Sequence, residues 1–272
     1  MEQTRQININ SGHGTSNNGT KKSNIYFDFK NIIPHDVSYH HSVMIDNAQI
    51  PVSFYNINSS NNNIIVSVNG GATSIISILA GNYNSTTLIT ELTTILTNAG
   101  LPSPTITLSM ITGFISITVA SGYFTFHQDS TAFKILGFSN IDNTSVAQIL
   151  NAVHTLSLQG TLKLRISSYG INVNNIDSLG GSKNTLLEIG VNQPNFGIIQ
   201  YANVSNSWNE MNNFVLDGFS IFITDDDGEP IDFNNTDWAI TIIIKSKIIL
   251  SNGLPIKRGI PLANDEVKKE EK

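Results

Sequence analysis

Apolar and polar positions alternate most strongly near the end of the chain. Trp238, Ile240, Ile242, Ile244, Ile248 and Leu250 fall on one face of a run, and Ala239, Thr241, Lys245 and Lys247 fall on the other. A period of two predicts a β-strand with one buried face. The preceding segment, Phe214 to Thr224, reads FVLDGFSIFIT, and an acidic, Asn-rich link, DDDGEPIDFNNTD, joins the two. Strands this long in a mostly β chain point to a large sandwich rather than a small meander.

The same pattern divides the rest of the chain into zones. Residues 1–24 are rich in Gly, Asn, Ser and Thr with few large apolar residues. That predicts a flexible arm, since such a segment buries too little to offset its ordering entropy. Residues 25–57 read as strands, with Val37, Tyr39, His41, Val43 and Ile45 alternating with Ser38, His40, Ser42 and Met44. Residues 58–149 change texture. IIVSV and TSIISIL predict a hairpin about Asn69-Gly70-Gly71. In the next run Leu88, Leu92, Ile95 and Leu96 share one helical face, with Asn84 or Ser85 as the N-cap, Gly100 as the stop and Pro102 beyond it. A second hairpin pairs Ile106, Leu108 and Met110 with Ile115, Ile117 and Val119, Tyr123 to Phe126 adds a further strand, and TAFKIL is a short helix closed by Gly137. This zone reads as a small α+β insertion able to fold on its own. Residues 150–257 return to strands, at Thr161–Ser168, Asn184–Gly190, Phe196–Tyr201, Phe214–Thr224 and Trp238–Leu250. Residues 258–272 are a charge run, DEVKKEEK at its end, that predicts a flexible tail.

Strand zones without intervening βαβ helices favour an antiparallel sandwich. The expected fold is all-β: an eight-stranded antiparallel jelly roll, residues 25–57 and 150–257, interrupted by the insertion.

Composition narrows the function classes. Charged residues are only 13% of the chain, so Asn, Ser, Thr and Gln must build the polar surface. Such neutral surfaces suit protein faces that meet neighbours. The net charge of −6 argues against nucleic acid as the main partner, because phosphate contacts need clustered Lys and Arg. Cysteine is absent, which excludes disulfides and thiolate metal sites. No apolar run is long enough for a membrane span, and the N-terminus lacks the apolar core of a signal peptide.

The chemistry-bearing residues are scattered. His40 and His41 are adjacent on a strand and point to opposite faces, which does not make a metal site with His35. Asp225, Asp226 and Asp227 with Glu229 have the acidity of a calcium loop without its alternating ligands. They read as a solvated loop or an acidic contact. Gly180-Gly181-Ser182-Lys183 lacks phosphate-loop spacing. Tyr123, Phe124, Phe126, Phe133 and Phe138 offer either a sugar-binding groove or core, and their strand and helix spacing favours core. Trp208 lies among polar residues in NVSNSWNEMNN and is the candidate exposed contact. No catalytic residue, metal ligand or cofactor site is expected, and the chain does not read as an enzyme.

Several phrases, in order, resemble one family. FYNIN-x-x-NN, ILAGNYNSTTLITELTTIL, FKILGF and the closing GFSIFITDDDGEPIDFNNTDWAITIII resemble the penton, or minor capsid, proteins of virophages and polinton-like viruses. The resemblance spans Tyr26 to Lys247. It implies a jelly roll with a projecting insertion, a structural role in the virion, homopentamers at the fivefold vertices of an icosahedral capsid, and contacts with a double-jelly-roll major capsid protein. It implies manufacture in the host cytoplasm and carries over no site residue. The alternative reading is a carbohydrate-binding or host-attachment module of spike or fibre-head type, using the insertion or Trp208 to bind a host-surface glycan.

Overall fold

The structure is a computed structural model that describes residues 2–33, 39–173, 175–176, 182–212 and 216–248. The expected charged tail, His35, Leu250 and most of the Gly180-Gly181 turn lie outside the described residues. The chain opens with β1 (Glu2–Asn10), the short β2 (Thr15–Ser16), β3 (Asn24–Ile33) and β4 (Tyr39–Pro51). It then forms β5 (Asn63–Val68), β6 (Ser74–Ser77), helix α1 (Ser85–Asn98), β7 (Thr105–Leu108), β8 (Ile115–Thr118), β9 (Phe124–Phe126), helix α2 (Phe133–Leu136), β10 (Asn143–Thr144) and β11 (Ile149–Asn151). It returns through β12 (Lys163–Tyr169), β13 (Asn175–Ile176), β14 (Ser182–Lys183), β15 (Thr185–Gly190), β16 (Ile198–Ala202), β17 (Asn209–Met211), β18 (Leu216–Thr224) and β19 (Ala239–Ile248).

Two antiparallel sheets make the sandwich. One has the order β1-β19-β4-β16, with β17 also on β4, and the other runs β15-β12-β18-β3-β2. β1 lies beside β19, and the chain crosses from one sheet to the other at β3–β4, β4–β12, β15–β16, β17–β18 and β18–β19, while β12 and β15 pair within one sheet. This is jelly-roll topology, with two Greek keys wrapped on one another.

The first strand corrects a sequence expectation. Residues 2–10, read as part of a flexible arm, pair with β19 from Glu2↔Lys247 to Asn10↔Ala239. Only Ile7 and Ile9 bring apolar bulk inward, and Ile9 is buried. The backbone ladder supplies the rest of the order, and a polar edge strand exposes little hydrophobic pattern to read.

The period of two in β19 is obeyed: Trp238, Ile240, Ile242 and Ile244 are buried. In β4 the period slips. Ile45 pairs with Ile242 and Asn47 with Thr241, which leaves Asp46 as the extra residue of a β-bulge. Val43 and Ile45 face inward before the bulge, and Ala48 and Ile50 after it. Without the bulge the second half of β4 would present its polar side to the core.

The hydrophobic residues form two separate cores. One joins the two large sheets around Trp238, Phe27, Phe219 and Phe233. The other runs in sequence from Ile57 to Ala152 and fills the region expected as the insertion. There α1 buries Leu88, Leu92 and Leu96, and Asn84 caps it by accepting from the Thr87 N–H at 2.9 Å. The expected second hairpin forms between β7 and β8. Tyr123 to Phe126 does not extend it: β9 pairs instead with β5, where Phe126 meets Val66. Phe124, Phe126, Phe133 and Phe138 pack as one buried aromatic group. Gly137 ends α2 at φ +80, and a Cβ there would lie 2.2 Å from the His154 carbonyl oxygen. Only glycine meets both conditions.

Candidate functional site

The acidic link between β18 and β19 sits where the two cores meet. Asp225 folds it: its Oδ1 accepts the N–H of Asp227 at 3.0 Å and of Glu229 at 2.8 Å. The backbone closes the same turn, with Asp225 N–H to Glu229 O at 2.9 Å. Asp225 is half-buried, and desolvation raises its carboxyl above the ordinary range against those two hydrogen bonds. Asp226 and Asp227 are exposed. Asp227 reaches the insertion, its Oδ2 lying 2.6 Å from Nζ of Lys134 on α2. That hydrogen bond raises the Lys134 ammonium pKa. Of the three, Asp227 makes the contact between sandwich and insertion, and Asp225 shapes the turn that presents it.

Beneath this contact runs an open cleft of roughly 400 Å³, lined by Tyr55, Asn58, Ser60, Lys134, Gln159 and Asp225 among others. It continues into a second hollow of roughly 210 Å³ bounded by Lys21, Phe54, Ile231 and Asp232. Part of its polar wall is engaged within the fold. Asn56 Nδ2–H donates to the Tyr83 and Leu158 carbonyls at 2.8 and 3.0 Å, tying together the exit and return of the chain. These bonds brace the two crossings between the cores. Among the described residues no group of three or more His, Cys, Asp or Glu side chains is arranged to hold a metal ion.

Further along the same link, Ile231 and Phe233 are buried and anchor it to the sandwich core. Asp237 and Trp238 then bind the connection that follows β1. Ser11 Oγ–H donates to Asp237 Oδ1 at 2.8 Å, and Lys22 Nζ lies 2.7 Å from the same oxygen. Lys22 first, then Ser11, holds the Asp237 carboxyl below the usual carboxylate range. The indole Nε1–H of Trp238 donates to Lys22 O at 2.8 Å. Residues 11–23 are thus fastened by both backbone and side chain, which further corrects the arm expectation.

Trp208 lies elsewhere, on the outer face of the sheet that contains β4 and β19. It is half-buried, with Lys245 Nζ 4.8 Å from its ring centre and its Nε1–H donating to Asn206 Oδ1 at 2.9 Å. The structure does not bring it near the acidic link. Its apparent isolation in sequence came from polar neighbours, and the partner that covers it, Lys245, is supplied by another strand. His40 and His41 face opposite ways, His40 toward Glu210 at 3.7 Å and His41 buried against Ser246 Oγ at 2.8 Å.

The sequence reading missed an aromatic pair made of the exposed Tyr169 and the half-buried Phe222. Tyr169 and Phe222 stack on the outer face of the other sheet, with ring centres 4.6 Å apart and planes 12° apart. Tyr169 is 61% exposed. The two residues sit on sequentially distant strands, and only the register of β12 against β18 brings them together.

No helix among the described residues is long and apolar enough to cross a membrane. No family model and no curated protein matches the chain. Among solved structures, the chain is similar to the mavirus penton protein, at 12% identity and a TM-score of 0.47, over 90% of this chain and all of that one.

Proposed function

We propose that this protein is a structural penton protein that forms pentamers at the fivefold vertices of an icosahedral DNA-virus capsid. The observation that carries the reading is the architecture: a two-sheet jelly roll, β1-β19-β4-β16 against β15-β12-β18-β3-β2, with a separately cored region between β4 and β12. It is joined by the ordered sequence resemblance from Tyr26 to Lys247. A fivefold ring needs a heterologous contact, one flank of the subunit meeting a different flank of the next. Two sheets with unlike outer faces supply unlike flanks. The low charge content, 13%, limits repulsion as copies crowd together. On this reading the protein resides in the virion, is made in the host cytoplasm, and abuts a major capsid protein with a double jelly roll. Light scattering after size exclusion, with negative-stain imaging, tests it: fivefold rings are expected. A stable monomer or a trimer at high concentration would overturn it.

A second reading, glycan attachment, has the Tyr169–Phe222 stack in its favour, since aromatic faces pack against sugar rings. Loss of glycan-array binding on Tyr169→Ala, with the oligomer intact, would support it.

A further inference from the structure

Three polar side chains stand in a chain on the outer face of the insertion's four-stranded sheet. Oγ of Ser67 lies 2.8 Å from Nε2 of His127. The other ring nitrogen, Nδ1, lies 3.5 Å from Oδ2 of Asp142. Oδ1 of that carboxylate accepts the N–H of Gln128 at 2.8 Å, which holds it beside the ring.

Strand register explains the meeting. Ser67 on β5 sits opposite Thr125 on β9. His127 follows two residues later, and its N–H donates to Ile65 O at 2.8 Å. Ile65, Ser67 and His127 therefore share one face, with Ser67 and His127 on a diagonal. Asp142 immediately precedes β10, whose Asn143 pairs with Phe126, so it arrives on the far side of the imidazole. Ser67 is 6% exposed, whereas the His127 and Asp142 side chains are 26% and 57% exposed.

A polar cluster on a sheet face usually only satisfies its own members. The connectivity here is more specific. A hydroxyl on one ring nitrogen and a carboxylate by the other is the arrangement that makes serine nucleophilic. With the ring proton on Nδ1, toward Asp142, Nε2 offers its lone pair to the hydroxyl. We propose that Ser67 is an activated nucleophile, with His127 as its general base and Asp142 as a positioning residue, and that it accepts small apolar carboxylic esters. The apolar preference comes from Ile65 beside Ser67 and from Ile75 opposite Ile65, which is 70% exposed on the same face.

The step balances without a cofactor. Ser67 Oγ bonds to the ester carbonyl carbon while its proton passes to His127 Nε2. The tetrahedral adduct collapses, the ester C–O bond breaks, and the imidazolium returns the proton to the departing alcohol. Water then repeats the sequence on the acyl-serine, releasing the acid and restoring Ser67.

The test uses the full chain with a fluorophosphonate probe and p-nitrophenyl butyrate. The probe is expected to label the unmodified protein at Ser67, located by peptide mass mapping, which needs no variant to fold. Ester turnover is expected to fall about a hundredfold in Ser67→Ala and His127→Gln with unchanged melting, the scale of a lost general base. Asp142→Asn should lower kcat and leave KM unaltered. Absence of labelling on the folded protein, labelling at another residue, or turnover that survives Ser67→Ala would overturn the proposal.

Discussion

Nζ of Lys22 lies 2.7 Å from Oδ1 of Asp237, and this contact fastens the connection after β1 to the start of β19. Because the folded-state carboxyl of Asp237 is lowered, its contribution is fully present above the ordinary carboxylate pKa of about 4. It is lost as pH falls through the folded value. The Asp237 side chain is 44% exposed, so solvent screening keeps the contribution small. Asp237→Ala should cost about 1 kcal/mol at pH 7 and progressively less below pH about 4. Urea titrations at pH 7 and pH 3 check it, and an equal loss at both would remove the ionic account.

Asp225 has the opposite sign. Burial raises its carboxyl, so the folded state binds the proton more readily than the unfolded chain does. Stability from this group is therefore greatest below the unfolded value and declines as pH rises through the folded one. Asn at 225 keeps an oxygen for the Asp227 and Glu229 N–H groups and removes the desolvated charge. Asp225→Asn should be neutral or stabilising at pH 7, whereas Asp225→Ala should destabilise by about 1 kcal/mol through loss of the turn. Thermal melts of both variants separate charge from acceptor.

Two cores predict two responses. Phe126 is fully buried in the insertion among Phe124, Phe133 and Phe138. Phe126→Ala should cost about 3–5 kcal/mol. The loss should fall on the insertion first, splitting the unfolding into two steps. Hydrogen exchange resolved by segment would show early opening within 58–152 while β18 and β19 stay protected. Uniform loss across both regions would mean that they unfold as one unit.

Lys134 and Asp227 join the same two regions at 2.6 Å, but their side chains are 80% and 66% exposed. An exposed pair of this kind is worth about 0–1 kcal/mol. Lys134→Ala should therefore lower the melting temperature by no more than about 2–4 °C. The braced crossings at Asn56 are the stronger tie, because Asn56 donates to two carbonyls and accepts the Tyr83 N–H at 2.9 Å. Asn56→Ala should loosen the insertion, measured as faster proteolysis between residues 53 and 62, where Lys134→Ala leaves the rate unchanged.

Lys245 over Trp208 should contribute about 0.5–1 kcal/mol, as an exposed cation–π contact. Lys245→Met should retain part of this through packing, and Trp208→Ala should lose it all. Trp208 fluorescence, read against the buried Trp238, should shift to the red in Lys245→Ala. An unshifted spectrum would mean that Lys245 does not cover the ring.

How far the sequence could be read follows from what each element needs. The α1 helix, the β5–β6 and β7–β8 hairpins and β19 are local patterns, and their caps, turns and periods are visible in order. The second core could be read because its residues, Ile57 to Ala152, all fall within one stretch of the sequence. β1 was not legible, because a polar edge strand takes its order from the backbone of β19, more than two hundred residues away. The break in the β4 period at Asp46 was equally invisible, since a bulge is defined only against its partner strand.

The candidate sites divide in the same way. The acidity of the Asp225–Asp227 loop and the burial of the insertion's phenylalanines were contained in the sequence alone, because both depend on residue type and local period. Tertiary structure decided what those residues touch. It set Lys134 against Asp227, Lys245 over Trp208, Tyr169 on Phe222 and Ser67 beside His127. Each of these pairs is made by strand register, or by the docking of two separately cored regions. Register and docking are relations between distant segments, and no local pattern of apolar and polar residues encodes them.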